Sequence, residues 1–123
     1  MKLRFHSNSL RLRLSQSDIA RLAETGRVEE TVAFGPGQML AYSVETCSIE
    51  PGAAEQVSAS FENGRIRVML PGAHARRWIE SDETGIENSS GGLRVLVEKD
   101  FQCIHPESEE DRDGFPNPLA RTT

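Results

Sequence analysis

Residues 3–25, LRFHSNSLRLRLSQSDIARLAET, align without a gap on residues 59–81, ASFENGRIRVMLPGAHARRWIES. The aligned positions share size and polarity more often than identity; Phe5 falls on Phe61, for example, and Leu12 on Val68. Self-similarity at a fixed spacing indicates an internal repeat, and a missed repeat misassigns the whole fold. The alignment therefore predicts that one structural unit occurs twice in the chain.

Each copy begins with a predicted β-hairpin. The turn is SNS at residues 7–9 in the first copy and NG at residues 63–64 in the second. Asn-Gly is a strong hairpin signal, because both residues tolerate the positive φ of a tight turn. The returning strands, LRLRL at 10–14 and IRVML at 66–70, alternate apolar and polar residues. Side chains alternate between the faces of a strand, so one face of each hairpin is predicted to be buried.

A helix is predicted after each hairpin. In the first copy Ser15 or Ser17 can cap the free amides at the start, and Gly26 can end the helix. In the second copy Pro71-Gly72 precedes the helical segment. Apolar residues spaced at i, i+3 and i+4 define the face that each helix should bury. That face comprises Ile19, Leu22 and Ala23 in the first helix, and Ala75, Trp78 and Ile79 in the second.

Two further extended segments follow each helix, so eight strands and two helices are predicted. The fold class is α+β: a duplicated ββαββ unit forms one mainly antiparallel sheet or barrel, with two helices and a pseudo-twofold axis. Periodicity does not distinguish a barrel from an open sheet, and the hairpins could also exchange strands between halves. We expect a single domain over residues 1–123, with repeats at about 1–47 and 57–101 and a tail at 102–123.

Composition limits the classes of function. The chain has 123 residues and a net charge of −5, which argues against general nucleic-acid binding, since phosphate neutralisation needs surplus Lys and Arg. The sequence has neither a membrane-spanning apolar run nor a signal peptide, so no membrane association is expected. Two widely separated cysteines are typical of free thiols, and we expect a cytoplasmic location.

Arginines on the outer faces of the two predicted hairpins form a candidate site for an anion or an acidic partner. If the hairpins lie side by side, their guanidinium groups make a two-sided basic patch suited to phosphate or carboxylate. The opposing interpretation is an ordinary solvent face whose arginine stems cover the sheet. The candidate residues are Arg4, Arg11, Arg13, Arg65 and Arg67.

Cys103 and His105 are the candidate metal ligands. In an extended segment both side chains point to one face, and a thiolate with an imidazole suits zinc. The pattern shows one ligand pair where a closed zinc site has two, so the expected state is no cofactor, with zinc as the alternative. The nearby acids could bind a hard cation but lack the spacing of a calcium loop. They are Glu107, Glu109, Glu110, Asp111 and Asp113.

The sequence also resembles a family of short, uncharacterised bacterial proteins. The resemblance rests on NSLRLRLSQSDIARLAETG at 8–26, LRVLVEKDFQC at 93–103, EED at 109–111 and FPNP at 115–118. It implies a bacterial, stand-alone protein and carries over no catalytic residue.

These observations favour a small, non-catalytic binding or interaction module, with either a second copy of the chain or another protein as partner. The chain has no nucleophile elbow and no phosphate-binding loop. The inward positions are Leu, Val, Ile and Phe, which predicts a filled interior. The alternative is a small metal- or thiol-dependent enzyme centred on Cys103 and His105.

Overall fold

The computed structural model describes residues 1–47, 56–90, 92–101 and 115. The first half of the chain contains β1 (Lys2–His6), β2 (Ser9–Leu14), α1 (Gln16–Thr25), β3 (Arg27–Gly35) and β4 (Gln38–Cys47). The second half contains β5 (Ser58–Glu62), β6 (Arg65–Pro71), α2 (Gly72–Glu80), β7 (Gly85–Ser90) and β8 (Leu93–Lys99). The element order strand, strand, helix, strand, strand therefore occurs in both halves.

The turns and caps follow from the local sequence. Ser15 caps α1 in a reciprocal capping box with Asp18, which satisfies two backbone amides at the start of the helix. Gly26 ends α1 in the left-handed conformation, at a φ of +78°, and its N–H donates to the carbonyl of Leu22 at 2.8 Å. Asn63 and Gly64 both have positive φ, as the predicted tight turn requires.

The strands form two four-stranded mixed sheets. Sheet A has the order β1-β2-β8-β7, and sheet B has the order β3-β4-β6-β5. In each sheet the outer pairs are antiparallel and the central pair, β2–β8 or β4–β6, is parallel. Each sheet therefore combines one hairpin from the first half of the chain with one from the second half.

The prediction of one mainly antiparallel sheet or a barrel is wrong in this respect, because the described strands form two sheets that do not close on each other. The helices explain the separation. A ten-residue helix is about 15 Å long, whereas packed sheets lie about 10 Å apart. Each helix can therefore carry the chain from one sheet to the other, so that the two hairpins of one half lie in different layers.

The two ends of the sandwich differ. The central strands β2 and β6 lead directly into the helices, and β8 and β4 run parallel to them. The helices therefore cover the end at which the central strands finish, and this is the helix end. The opposite end carries the turns before the central strands, at Ser7-Asn8, Pro36-Gly37, Asn63-Gly64 and Gly92. We call it the hairpin-tip end.

A single cluster of apolar side chains fills the space between the sheets and the helices. The predicted inward residues of β2 and β6 are all buried, as is the apolar side of each helix at Leu22, Ala75 and Trp78. Trp78 is the largest fully buried side chain, and its indole N–H has no hydrogen-bond partner in the described part of the chain. Residues of both halves belong to this cluster, so neither half has a core of its own.

The turn at Gly64 joins two hairpins of sheet B at the hairpin-tip end. Its carbonyl accepts a hydrogen bond from the N–H of Ala41 at 3.0 Å. A Cβ at this position would lie 3.0 Å from the carbonyl oxygen of Met39. Gly37, in the turn of the neighbouring hairpin, has the same φ of +71° but no atom within 4 Å of such a Cβ.

Replacing these two glycines separates backbone strain from crowding. Gly37→Ala imposes only the cost of a left-handed backbone on an L-residue, about 1–2 kcal/mol. Gly64→Ala adds the contact with a carbonyl that has little room to move, so we expect it to lower the free energy of unfolding by about 1 kcal/mol more. Urea unfolding followed by circular dichroism measures both. If both variants lowered the free energy of unfolding by the same amount, the close approach of the two hairpins at Gly64 would be contradicted.

Candidate functional site

An apolar cleft of about 430 Å³ opens between the two sheets at the hairpin-tip end. Pockets that bind small molecules or partner side chains commonly have volumes of about 300–1,000 Å³. The prediction of a filled interior is therefore wrong at this end, where Phe5 and Phe61 are exposed. Sheet A contributes Phe5, Leu10 and Leu93 to the lining, and sheet B contributes Leu40, Ala59, Ser60, Phe61 and Ile66.

Two phenylalanines at matched positions form the rim of the cleft. Phe5 pairs with Leu10 across the first hairpin, and Phe61 pairs with Ile66 across the third. Both lie on the inward face of an edge strand, one residue before its last. Because neither helix reaches this end, the rings are 61% and 71% exposed. The same alternation that buries Leu12 and Val68 therefore directs Phe5 and Phe61 into an opening.

The chemistry of the lining favours binding over catalysis. Seven of its eight residues are apolar, and Ser60 is the exception. None of these eight side chains can accept or donate a proton near neutral pH, which general acid–base catalysis needs. Binding a complementary apolar group in this cleft removes the apolar surfaces of both from water, which favours binding.

A second apolar feature lies beside the cleft. The first residue of β4 that pairs with β6 is Ala41. Residues 32–40 of the β3–β4 hairpin therefore lie beyond the part of sheet B in which β4 and β6 are paired. We call this segment the projecting hairpin. Its side chains Val32, Phe34 and Met39 are 40%, 69% and 59% exposed. Large exposed apolar side chains gathered at one end of a protein typically mark an interaction surface.

The structure separates the predicted arginine site into two groups. Arg4, Arg11 and Arg13 lie on β1 and β2 of sheet A, whereas Arg65 and Arg67 lie on β6 of sheet B. The two hairpins that carry these arginines lie in different sheets, so they do not form a side-by-side basic patch. Binding of an anion or an acidic partner to either group stays a prediction.

Arginines of both groups contact glutamates of the neighbouring strand. In sheet A, the guanidinium Nε of Arg13 lies 2.7 Å from Glu98 Oε1. In sheet B, Arg67 donates two hydrogen bonds to Glu45, at 2.9 and 3.2 Å. The hydrogen bonds from Arg67 hold the pKa of Glu45 below its usual value, against a smaller opposing effect of burial. Arg65 pairs with Glu29 in the same sheet.

The predicted metal ligands Cys103 and His105 lie outside the described residues, as do the acids from Glu107 to Asp113. Within the described residues, no group of three His, Cys, Asp or Glu side chains is placed to hold a metal ion. Zinc binding at Cys103 and His105 therefore stays a prediction.

A cavity of about 540 Å³ at the helix end lies between the end of α1 and the start of α2. Its lining mixes apolar residues with Cys47, Arg76 and Glu80. A thiol nucleophile needs a neighbouring base or another means of lowering its pKa. Among the described residues that line this cavity there is no histidine, so none of them supplies an imidazole base to Cys47.

The most closely connected titratable groups lie at one side of the sandwich. The Met1 ammonium is 2.8 Å from Asp18 Oδ2 and 2.9 Å from Glu30 Oε1, and the Tyr42 hydroxyl donates to Glu30 at 2.8 Å. Burial raises the pKa of Tyr42 to about 12, and the hydrogen bond to Glu30 acts in the same direction. These groups satisfy one another and connect β1, α1 and β3, so the arrangement is structural.

The balance of effects on Asp18 gives this cluster a pH dependence. Burial raises the pKa of Asp18, but hydrogen bonds from Met1 and Ser15 outweigh it, and the net pKa lies below its usual value. A carboxyl group with a lowered pKa in the folded state stabilises the fold above its ordinary pKa. That stabilisation is lost as the pH falls through the lowered value.

Asp18→Asn should lower the free energy of unfolding at pH 7 by about 1–3 kcal/mol, because a charged hydrogen bond and part of the helix cap are lost. The difference from the unmodified protein should shrink as the pH falls below the ordinary value of 3.8. Urea unfolding at a series of pH values measures this, with exposed Asp82→Asn as the control. A difference that does not change with pH would contradict the proposed charge on Asp18.

Sequence reasoning did not identify the phenylalanines of the hairpin-tip end as site residues. Phe5 and Phe61 match each other in the repeat, and the alternation predicts that both face the interior; Phe34 lies directly before Gly35-Pro36-Gly37. The available signal was their position, since each is an aromatic residue within three residues of a predicted turn. A strand end beside a turn has fewer neighbours to cover a large ring.

Neither helix in the described part of the chain has the length and hydropathy needed to cross a bilayer. No curated protein matches the sequence. A family model without an assigned function matches residues 1–119, which is nearly the whole chain and confirms the predicted membership of an uncharacterised family. The chain, with its two mixed sheets and its apolar cleft, belongs to the family of unknown function DUF7009.

Proposed function

We propose that this chain is a non-catalytic module that binds a partner protein at its hairpin-tip end. The observation that carries the proposal is the open apolar cleft between two exposed phenylalanines, Phe5 and Phe61. In this proposal the cleft takes an apolar side chain of the partner, and the aromatic rim packs around it. Buried aromatic anchors in such pockets commonly supply most of the binding energy of an interface.

The lining supports a protein partner over a free small molecule. Pockets for small molecules usually contain a few polar groups that fix the orientation of the ligand. Among the described residues of this lining, Ser60 alone has a polar side chain. An anchoring side chain needs no such groups, because the rest of the partner's surface sets its orientation. The exposed apolar residues of the projecting hairpin supply contact area beside the cleft.

The same proposal includes an internal duplication with pseudo-twofold symmetry. The matching element order supports it, and so do two contacts at equivalent places. Glu30 on the inward face of β3 accepts a hydrogen bond from Met1, just before β1. Asn88 on the inward face of β7 donates to the carbonyl of Val57, just before β5, at 3.0 Å. A repeated unit would anchor the start of each half in this way.

We also propose a bacterial, cytoplasmic setting for the module. The resemblance to short bacterial proteins supports the source. The low cysteine content supports a reducing compartment, because small secreted domains commonly rely on disulfides.

Titration with an uncharged analogue of an apolar side chain tests the cleft. N-acetyl-phenylalaninamide should cause saturable shifts in a ¹H–¹⁵N correlation spectrum at Leu10, Leu40, Ile66 and Leu93. N-acetyl-alaninamide should cause none of comparable size, because it buries too little apolar surface. Phe61→Ser should weaken binding about fivefold or more, because it removes one wall of the rim.

Phe101→Ser is the matched control for this titration. Phe101 is as exposed as Phe5, at 61%, but lies at the helix end, so its replacement should leave the affinity unchanged. Shifts spread over the helix end, or the same affinity in Phe61→Ser and the unmodified protein, would contradict the proposal.

A further inference from the structure

We propose that the partner is a second copy of this chain: two copies dock at their hairpin-tip ends, and each inserts Phe34 into the cleft of the other. This inference rests on the proposed function and names the partner for the same site. The cleft is the receiving surface, and the tip of the projecting hairpin, which carries Phe34, is the inserted element; Leu40, at the base of that hairpin, lines the cleft of its own chain.

The projecting hairpin is shaped to enter a cleft. The neighbouring turn at Gly64 reaches the carbonyl of Met39, and Gln38 and the turn at Pro36-Gly37 lie beyond it, so the hairpin projects past that turn by roughly 3–7 Å. Phe34 is 69% exposed near its tip and does not line the cleft of its own chain. Covering so exposed a ring with another surface removes apolar area from water, which is favourable.

The cleft has room for that ring. A dry cavity of about 150 Å³ already accommodates benzene, and the cleft measures about 430 Å³. Its walls offer an aromatic partner on either side, since Phe5 and Phe61 both reach the rim. Offset or edge-to-face aromatic pairs add about 0.5–1.5 kcal/mol beyond the area buried.

Having the inserted element and the cleft on one chain makes the surface complementary to itself. Both lie at the hairpin-tip end, so a single twofold rotation can place Phe34 of each copy against the cleft of the other. Such an isologous contact closes as a dimer, and dimers of this kind are the commonest protein oligomers. One twofold contact would fill both clefts and cover both projecting hairpins.

The charge distribution permits this approach. The chain carries a net charge of −5, so copies repel each other wherever acidic surfaces meet. The turns of the hairpin-tip end consist of uncharged residues, Ser7-Asn8, Pro36-Gly37, Asn63-Gly64 and Gly92. Beside them, Arg65 is paired with Glu29 and Arg94 with Glu87. Tip-to-tip docking therefore brings together turns that carry no charge, with the exposed acid Glu62 beside one of them.

The exposed aromatic area is about half of the surface that a stable dimer buries on each partner. Phe5, Phe34 and Phe61 leave about 400 Å² of aromatic surface exposed, taking about 200 Å² for each ring. Val32, which pairs with the cleft-lining Leu40, adds to this apolar surface, whereas Met39 lies on the outer face of sheet B. A stable interface buries about 800 Å² on each partner, part of it a polar rim that the turn residues can provide.

Sedimentation velocity over a concentration series tests the pairing. The full chain should shift from the 13.6 kDa monomer to a species of twice that mass. Phe34→Ser removes the inserted ring and Phe61→Ser damages the cleft, and each should raise the dissociation constant about tenfold or more. Phe101→Ser should behave as the unmodified chain. All three side chains are exposed, and circular dichroism verifies that the variants fold.

Mixing the two variants gives the decisive result. Homodimers of either variant have no intact insertion, whereas a heterodimer combines Phe34 of one chain with the undamaged cleft of the other. An equimolar mixture should therefore dimerise at least threefold more tightly than either variant alone. A mixture no tighter than the separate variants would overturn the insertion geometry.

The fragment titration separates this inference from the function on which it rests. Phe34→Ser retains an intact cleft and should bind N-acetyl-phenylalaninamide. If the unmodified chain stays monomeric up to about 1 mM while the fragment binds at the cleft, self-pairing is overturned and the binding module stands. If neither dimerisation nor fragment binding occurs, both proposals fail.

Discussion

The parallel pairs β2–β8 and β4–β6 connect the two halves of the chain, and the rest of the structure is organised around them. Six residue pairs join β2 to β8, and seven join β4 to β6. Without these pairings the molecule would consist of separate two-stranded hairpins, and isolated hairpins are at best marginally stable in water. The pairings also align the start of β2 with that of β8 and the start of β4 with that of β6, so that within each sheet the turns before the central strands lie at one end.

This alignment explains why the two ends of the sandwich have different properties. At the helix end, Leu22 and Trp78 are fully buried and belong to the core that both halves share. At the hairpin-tip end the chain only turns, and turns of small polar residues cannot cover the inward positions beneath them. The cleft is therefore a consequence of a topology that supplies covering helices on one side only, and Phe5 and Phe61 occupy its rim for that reason.

The charged residues show how strand pairing changes the meaning of a sequence pattern. Alternation correctly predicted that Arg13 and Arg67 lie on outer faces of the sheets. Their partners Glu98 and Glu45 come from β8 and β4, the strands placed beside them by the parallel pairings. The sequence shows both kinds of residue, but it does not show that they are neighbours. A row of arginines thus becomes, at these positions, a set of cross-strand ion pairs, each of modest energy at an exposed surface.

The sequence by itself determined the local structure: the ββαββ order in each half, a serine cap at Ser15 or Ser17, the turn at Asn63-Gly64 and the inward faces of β2 and β6. These features depend on residues only a few positions apart, whose backbone preferences and alternation are visible in the chain. Tertiary structure alone decided which hairpins share a sheet, that there are two layers, and that Phe5 and Phe61 border a cleft. The alternation of side chains along a strand is the same whichever strand pairs with it, so alternation does not predict the pairing partner. An inward side chain becomes core or binding surface according to whether another element covers it.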